Sequence, residues 1–144
     1  MIVPDANLLL YAYDSRSPFH AAARAWWETC LSGSEAVGFA HPVLFAFVRI
    51  GMSPRAFESP MTLEQVTRHV TTWLDRRVTR VLQPPLDYLP RTLELLRAAG
   101  AAGPNLVTDA QVAAIASFHQ ATVHTADRDF LRFRGLECRF PLDA

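Results

Sequence analysis

Residues 1–10 of the chain read MIVPDANLLL, and this stretch indicates how the domain is built. A short apolar run ends at Asp5, and a second apolar run continues from Asn7 to Tyr13. The first run is typical of a buried strand, and the second predicts a helix. The sequence therefore places an acid at the carboxyl end of a buried strand, which is where open α/β sheets bind their ligands.

Strands and helices alternate along the rest of the chain. Further strands are predicted at residues 35–40, 79–82, 122–124 and, at an edge of the sheet, 135–140. Helical signals separate them: Pro18 in a first helical position, an apolar stretch at 43–50, and a capping box formed by Thr62 and Gln65. Because parallel strands need long crossover connections, these helical connections predict one α/β domain over residues 1–144. We expect three layers, with a mainly parallel central sheet flanked by helices.

Two more acids are predicted to reach the same edge of the sheet. Thr108 and Gln111 form a second capping-box pattern, which puts Asp109 in the first position of a helix. Asp127 follows the predicted strand at 122–124. Taken singly, each acid has a structural explanation as a helix or turn cap. Taken together, carboxylates at one edge repel one another and raise each other's pKa unless a cation neutralises them.

A hard divalent cation would explain such a gathering of acids. Mg²⁺ prefers oxygen ligands and is held by one or two carboxylates together with substrate phosphates, and Mn²⁺ is a possible substitute. The bound ion can activate water for attack on phosphorus. The five histidines show no zinc-binding spacing, and the chain has no GxSxG, GxGxxG or GxxxxGK motif. The pattern thus predicts metal-assisted hydrolysis of a phosphodiester.

The overall composition leaves the partner of the domain open. Half of the residues are hydrophobic and 19% are charged, which excludes a disordered polyelectrolyte. The net charge is zero, and all 14 basic residues are arginine. No run is long enough to span a membrane, and the N-terminus lacks a signal-peptide pattern, so we expect a cytoplasmic protein with no membrane partner. Cys30 and Cys138 indicate neither a zinc site nor a disulfide framework.

Three motifs resemble those of PIN domains, specifically the VapC toxins of toxin–antitoxin pairs. Residues 5–10, DANLLL, are similar to the opening DxN motif of that family. Residues 106–116, which contain LVTDA, resemble its third acidic motif, and TADRDF at 125–130 resembles the fourth. The three motifs occur in the family's order and spacing, and the resemblance spans the whole chain.

The resemblance implies a Mg²⁺-dependent endoribonuclease that cuts structured RNA, such as transfer or ribosomal RNA, and thereby inhibits translation. It also implies neutralisation by a VapB-type antitoxin protein, and a homodimer or a hetero-oligomer with that antitoxin. By the same resemblance, Asp5 and Asp109 would bind the metal and Asp127 would complete the catalytic acids. Asn7 and Thr125 would support them through hydrogen bonds.

The chain departs from the family pattern at the second acidic motif. The family carries a Glu in the helix after the second strand, but residues 45–49 contain no acid, and Glu58 is the nearest one downstream. An alternative is therefore a catalytically weakened PIN-like module that binds RNA or protein. A haloacid-dehalogenase-type domain is disfavoured because Asn7 stands where its second Asp is needed. A receiver domain is disfavoured because the chain contains no lysine.

Several arginines and tryptophans have two possible roles. Arg49 interrupts an apolar helix, so it either pairs with a buried carboxylate or lines the active cleft. Other arginines near the proposed site suit RNA phosphates, although a solvated polar face explains any single one of them better: Arg55, Arg128, Arg132 and Arg134. The tryptophans lie on helical stripes that predict a core or an interface: Trp26, Trp27 and Trp73.

Overall fold

Five strands form a single parallel sheet in the computed structural model, which describes residues 1–100 and 103–143. The strands are β1 (Ile2–Pro4), β2 (Val37–Phe39), β3 (Thr79–Val81), β4 (Thr122–His124) and β5 (Glu137–Arg139). Their spatial order is β3-β2-β1-β4-β5, and each neighbouring pair is parallel. The predicted parallel sheet is confirmed, including the edge strand β5.

Six helices connect the strands and flank the sheet. They are α1 (Ala6–Tyr13), α2 (His20–Ser32), α3 (His41–Gly51), α4 (Leu63–Leu74), α5 (Tyr88–Ala98) and α6 (Leu106–Phe118). A short 3₁₀ helix, Arg128–Arg132, lies between β4 and β5. Within the described residues, no helix is both long and apolar enough to cross a membrane.

The order of the strands reverses between β1 and β4. From β1 the sheet continues through β2 and β3 on one side, and through β4 and β5 on the other. Ile2 lies opposite Thr122 and Pro4 opposite His124, so β1 and β4 end at the same level. Such a switch point opens a crevice at the carboxyl ends of the strands, and ligands bind there. The residues that follow β1 and β4 are therefore side by side at this crevice.

Aromatic rings fill the core on one side of the sheet. The Trp73 ring lies 4.7 Å from the Phe47 ring and 5.5 Å from the Trp27 ring, measured between centroids, and all three side chains are buried. Trp73 also donates its indole N–H to the Tyr13 hydroxyl at 2.7 Å. Aromatic pairs of this kind add about 0.5–1.5 kcal/mol each to the hydrophobic gain. Trp27 and Trp73 thus serve the core, while Trp26 is half-buried.

Two predicted helix starts are wrong. Compared with the prediction, α2 begins later in the chain and α6 begins earlier. The Ser17 hydroxyl accepts from the Phe19 N–H at 3.1 Å, which makes a separate turn, and α2 begins only at His20. The Leu106 N–H bonds to the Gly103 carbonyl at 3.2 Å, so α6 begins at Leu106. Asp109 accordingly lies in the first turn of α6 but not in its first position.

The predicted start of α4 is confirmed, because both bonds of its capping box form. Gln65 donates its backbone N–H to the Thr62 hydroxyl at 3.2 Å, and the Gln65 side-chain oxygen accepts from the Thr62 N–H at 2.9 Å. These reciprocal bonds satisfy two backbone donors that a helix start otherwise leaves without partners.

Candidate active site

Asp5 is held at the switch point by hydrogen bonds to both of its oxygens. It caps α1 by accepting the Ala6 N–H at Oδ1 (2.8 Å), and it accepts the Thr125 hydroxyl at Oδ2 (2.6 Å). Its backbone N–H bonds to the His124 carbonyl at 2.9 Å, which ties the ends of β1 and β4 together. Asp5 is 8% exposed and Thr125 is fully buried. The carboxylate is therefore fixed in orientation before any ligand binds.

The loop after β4 is arranged around Thr125. The Thr125 hydroxyl accepts the Asp127 N–H at 2.9 Å while it donates to Asp5. Asn7 on α1 accepts the Ala126 N–H at its side-chain oxygen, at 3.4 Å. These contacts bring the predicted supporting residues, Asn7 and Thr125, to the same place as two of the predicted acids.

Asp109 reaches this group from the first turn of α6. Burial first of all, and then the negative charges of Asp5, Asp127 and Asp129, together raise the pKa of Asp109 to about 7. The pKa of Asp5 is also raised by burial, against the hydrogen bonds from Thr125 and Ala6 that lower it, with Asp127 adding to the rise. The repulsion means that the acids are close enough for their charges to oppose one another.

The acids do not form a closed set of metal ligands. In residues 1–100 and 103–143, no three Asp, Glu, His or Cys side chains stand close enough to bind one ion together. Asp127 instead caps the 3₁₀ helix by accepting the Asp129 N–H at 2.9 Å, and Asp129 pairs with Arg132 at 3.3 Å. Mg²⁺ commonly uses only one or two protein carboxylates and keeps several waters. Asp5 and Asp109, with oxygen donors only, suit such an ion.

No fourth acid joins the group from α3. Residues 45–49 contain no acidic side chain, and Phe47 in this stretch is buried in the core. Glu58 is largely exposed and pairs with Arg16 in the turn after α1. It therefore has a partner of its own and is not recruited as a substitute.

The arginines near the proposed site divide into paired and unpaired groups. Arg49 is exposed, and in the described structure it makes no ion pair, which rules out pairing with a buried carboxylate. Arg128 stacks over the Phe140 ring at 3.8 Å and pairs with Asp143. Arg128 and Arg132 are thus engaged by protein groups, whereas Arg49 is available to a ligand.

Sequence reasoning missed one contact beside the site. Trp26 donates its indole N–H to Nδ1 of His124 at 3.2 Å, and the two rings stack with centroids 5.9 Å apart. Burial lowers the pKa of His124, so the neutral ring acts as the acceptor. The pair anchors the end of β4 next to Thr125. No local signal indicates it, because the partners are 98 residues apart.

A parallel α/β domain with carboxylates at its switch point defines a class of domain suited to divalent-metal chemistry on phosphate esters. A sequence profile described as "PIN domain" matches residues 2–136. The chain belongs to the PIN-domain family. Ribonucleases of this family generally depend on a divalent metal ion.

Curated relatives cover nearly the whole chain. Ribonuclease VapC33 of Mycobacterium tuberculosis is 37% identical over 142 residues, covering 99% of each chain. Ribonuclease VapC37 of the same species is 36% identical over 136 residues, covering 94% of each chain. The VapC33 alignment, which leaves out at most two residues of this chain, spans the positions of all three acidic motifs.

Solved structures share the fold at low sequence identity. VapBC2 from Rickettsia felis, bound to a DNA fragment from its promoter, superposes with a TM-score of 0.68 and 19% identity, covering 96% of this chain and 98% of the other. VapC20 of Mycobacterium tuberculosis, a sarcin-ricin loop cleaving toxin, superposes with a TM-score of 0.70 and 17% identity, covering 95% and 99%. At these identities the likeness establishes the fold alone.

Proposed function

We propose that this chain is a VapC-type endoribonuclease toxin that hydrolyses RNA phosphodiester bonds with Mg²⁺, or Mn²⁺, held by Asp5 and Asp109. The observation that carries the proposal is the meeting of these two carboxylates at the switch point of the sheet. Burial raises the pKa of both groups, the negative charge of Asp5 adds to the rise at Asp109, and a bound cation would relieve that repulsion. The relatives named ribonuclease support the same chemistry.

Each residue of the site has a distinct role in this proposal. A bound divalent ion would activate water and neutralise charge on the phosphate. Asp5 and Asp109 would hold the ion, and the Thr125 hydroxyl fixes the orientation of the Asp5 carboxylate by donating to its Oδ2. Asp127 adds negative charge beside them, and Asn7 holds the loop through the Ala126 N–H.

The proposed substrate is structured RNA, such as transfer or ribosomal RNA, whose cleavage in the cytoplasm inhibits translation. The proposed protein partner is a VapB-type antitoxin, and the toxin–antitoxin complex among the structural neighbours supports this assignment. We also propose a homodimer, which could assemble further with the antitoxin. Its support is a row of exposed leucines on and just before α5: Leu86, Leu89 and Leu93.

Cleavage of a folded transfer RNA by the purified chain tests the proposal. Asp5→Asn and Asp109→Asn should each lower the cleavage rate by roughly a hundredfold or more, which is about 2.7 kcal/mol of barrier. Excess EDTA should abolish cleavage, and Mg²⁺ should restore it. Asp75→Asn is the matched control, because Asp75 is exposed and follows α4 away from the site.

The outcomes separate an enzyme from a binding module. Undiminished cleavage by Asp5→Asn, or cleavage in excess EDTA, would overturn the metal mechanism. Expression in bacteria gives the second readout, because an enzyme should arrest growth only when Asp109 is intact. Growth arrest that persists with Asp109→Asn would instead identify the catalytically weakened PIN-like module.

A further inference from the structure

The outer face of α3 combines an exposed aromatic ring with guanidinium groups. Phe45 is 68% exposed, and its ring stacks on that of His41 with centroids 6.5 Å apart. Arg49 lies one helical turn beyond Phe45 on the same face and is also exposed. Arg55, in the loop after α3, joins Arg49 around a shallow pocket of about 320 Å³ that includes Ser53. We call Phe45, Arg49 and Arg55 the α3 face.

We propose that the α3 face binds a single-stranded segment of the RNA substrate. Phe45 would stack on an unpaired base, and Arg49 and Arg55 would contact the flanking phosphates. The inference rests on the proposed ribonuclease function and adds the residues that hold the substrate and the form of RNA that they accept.

The position of α3 brings this face to the catalytic edge. His41 begins α3 two residues after β2 ends, and β2 is the neighbour of β1 in the sheet. The helix therefore starts at the same edge as Asp5, and it packs against α1 and α6, the helix that carries Asp109. Along the helix axis, Phe45 lies about 6 Å and Arg49 about 12 Å from His41 at that edge. An RNA strand that binds along the α3 face and continues past His41 would reach the carboxylates of Asp5 and Asp109.

The charge of the α3 face suits phosphate. Six arginines pair with acids in the described part of the chain: Arg16, Arg24, Arg91, Arg97, Arg128 and Arg132. Arg49 and Arg55 are outside that group, and the pocket between them is lined by no acid. Guanidinium groups bind phosphate in a planar, bidentate manner, and such contacts position the nucleic acid.

The exposed ring determines which form of RNA fits. An aromatic side chain can stack only on a base that has left its own stack, so it selects loops, bulges and ends over duplex. Such stacking is worth about 1–3 kcal/mol per base and tolerates any sequence. A single exposed phenylalanine carries little information, but Phe45 shares its face with Arg49, and within the described residues neither Arg49 nor Arg55 pairs with an acid.

A second copy of the chain is a less suitable occupant. A two-fold symmetric contact would place the same patch of both subunits together. Arg49 and Arg55 would then face positive charges with no acid between them, which is unfavourable. The leucines near α5 carry no such charge and are better suited to self-association.

Binding and cleavage measured on the same variants test the inference. The probe is a fluorescein-labelled single-stranded RNA of about 12 nucleotides, within the site sizes of single-strand binders, and its annealed duplex is the comparison. Binding is measured by anisotropy on the Asp5→Asn background. Phe45→Ala should raise Kd for the single strand about tenfold, and Phe45→Trp should restore it. Arg49→Gln should lower the salt dependence of binding by about one counterion.

Matched controls lie at the opposite edge of the sheet. Phe118→Ala removes an exposed ring at the end of α6, and Arg77→Gln removes an exposed charge just before β3. Neither should change Kd more than about twofold. With Asp5 intact, the Phe45 and Arg49 variants should raise KM for RNA cleavage and leave kcat unchanged.

The result distinguishes the two proposals. If the parent chain cleaves no RNA in Mg²⁺, the ribonuclease function fails. If the parent cleaves and the α3 variants match it in Kd and KM, only the docking inference fails. Equal affinity for the annealed duplex would also overturn it. Sedimentation velocity provides a further test, because it measures whether the protein is a dimer. If Phe45→Ala dissociates a dimer and leaves RNA binding unchanged, the α3 face serves self-association and the docking inference fails.

Discussion

Replacing Asp109 by asparagine should stabilise the metal-free protein while it removes activity. The charged form of Asp109 is disfavoured by burial and by the neighbouring acids, which raise its pKa from 3.8 to about 7. For a fully buried group, this difference would correspond to about 4 kcal/mol of charging cost. Because Asp109 is only half-buried, solvent screening reduces the expected gain from Asp109→Asn to about 1–2 kcal/mol.

The gain should depend on pH with a defined sign. The folded state holds the Asp109 proton more tightly than the unfolded state, so the native protein loses stability as pH rises from about 4 to about 7. Below that window the carboxyl is protonated in both states, and the variant should match the parent. Above pH 7 the full difference should appear, as a melting temperature about 3–8 °C higher for the variant.

Thermal unfolding followed by circular dichroism in EDTA measures the effect, at about pH 3 and pH 8. Asp75→Asn is again the control and should melt with the parent at both pH values. Mg²⁺ should raise the melting temperature of the parent through binding to the folded state, and it should raise that of Asp109→Asn less. A variant that melts at or below the parent temperature at pH 8 would refute the reasoning, because Asp109 would then be stabilising as a charged group.

Three further changes test the scaffold by urea unfolding. Thr125→Val should lower the free energy of unfolding by about 1–3 kcal/mol, because it removes the hydroxyl bound to buried Asp5. Thr125→Ser keeps a hydroxyl and should recover most of that loss. Equal losses for the two variants would contradict the role of the hydroxyl. Gly38→Ala should lower the free energy of unfolding by about 1–3 kcal/mol, because the added Cβ would lie 2.8 Å from Cγ of Leu82. In a chain that also carries Leu82→Ala, the Gly38 change should be nearly neutral. Additive losses would refute the clash. Thr62→Ala should cost about 1 kcal/mol through loss of the capping box, and no change would show that the box is not stabilising.

The sequence was most informative where structure is decided by neighbouring residues or by topology. The capping box at Thr62 depends on residues three apart, and it forms as predicted. The meeting of Asp5 with the residues after β4 follows from parallel pairing, because the carboxyl ends of adjacent parallel strands share one edge. The helix start predicted at Pro18 failed because a separate turn at Ser17 precedes α2, and the one predicted at Thr108 failed because α6 already begins at Leu106.

The sequence pattern did not predict features that depend on packing between residues far apart in the chain. Arg49 interrupts an apolar stretch, yet it projects from the exposed side of α3, because the opposite side, which includes Phe47 packed against Trp73, is turned to the core. The bond between Trp26 and His124 joins two elements with no shared local motif. The same holds for the engagement of Arg128 by Phe140 and Asp143.

The bond between Asp5 and Thr125 spans 120 residues, and this separation has a consequence for biosynthesis. While the chain is being synthesised, β1 can pair with β2 early, but its other neighbour, β4, is made only after residue 121. Contacts between residues so far apart in sequence form late in folding. A nascent chain therefore carries Asp5 for most of its synthesis without the partner that orients it. The oriented Asp5 carboxylate is therefore assembled only when the chain is almost complete.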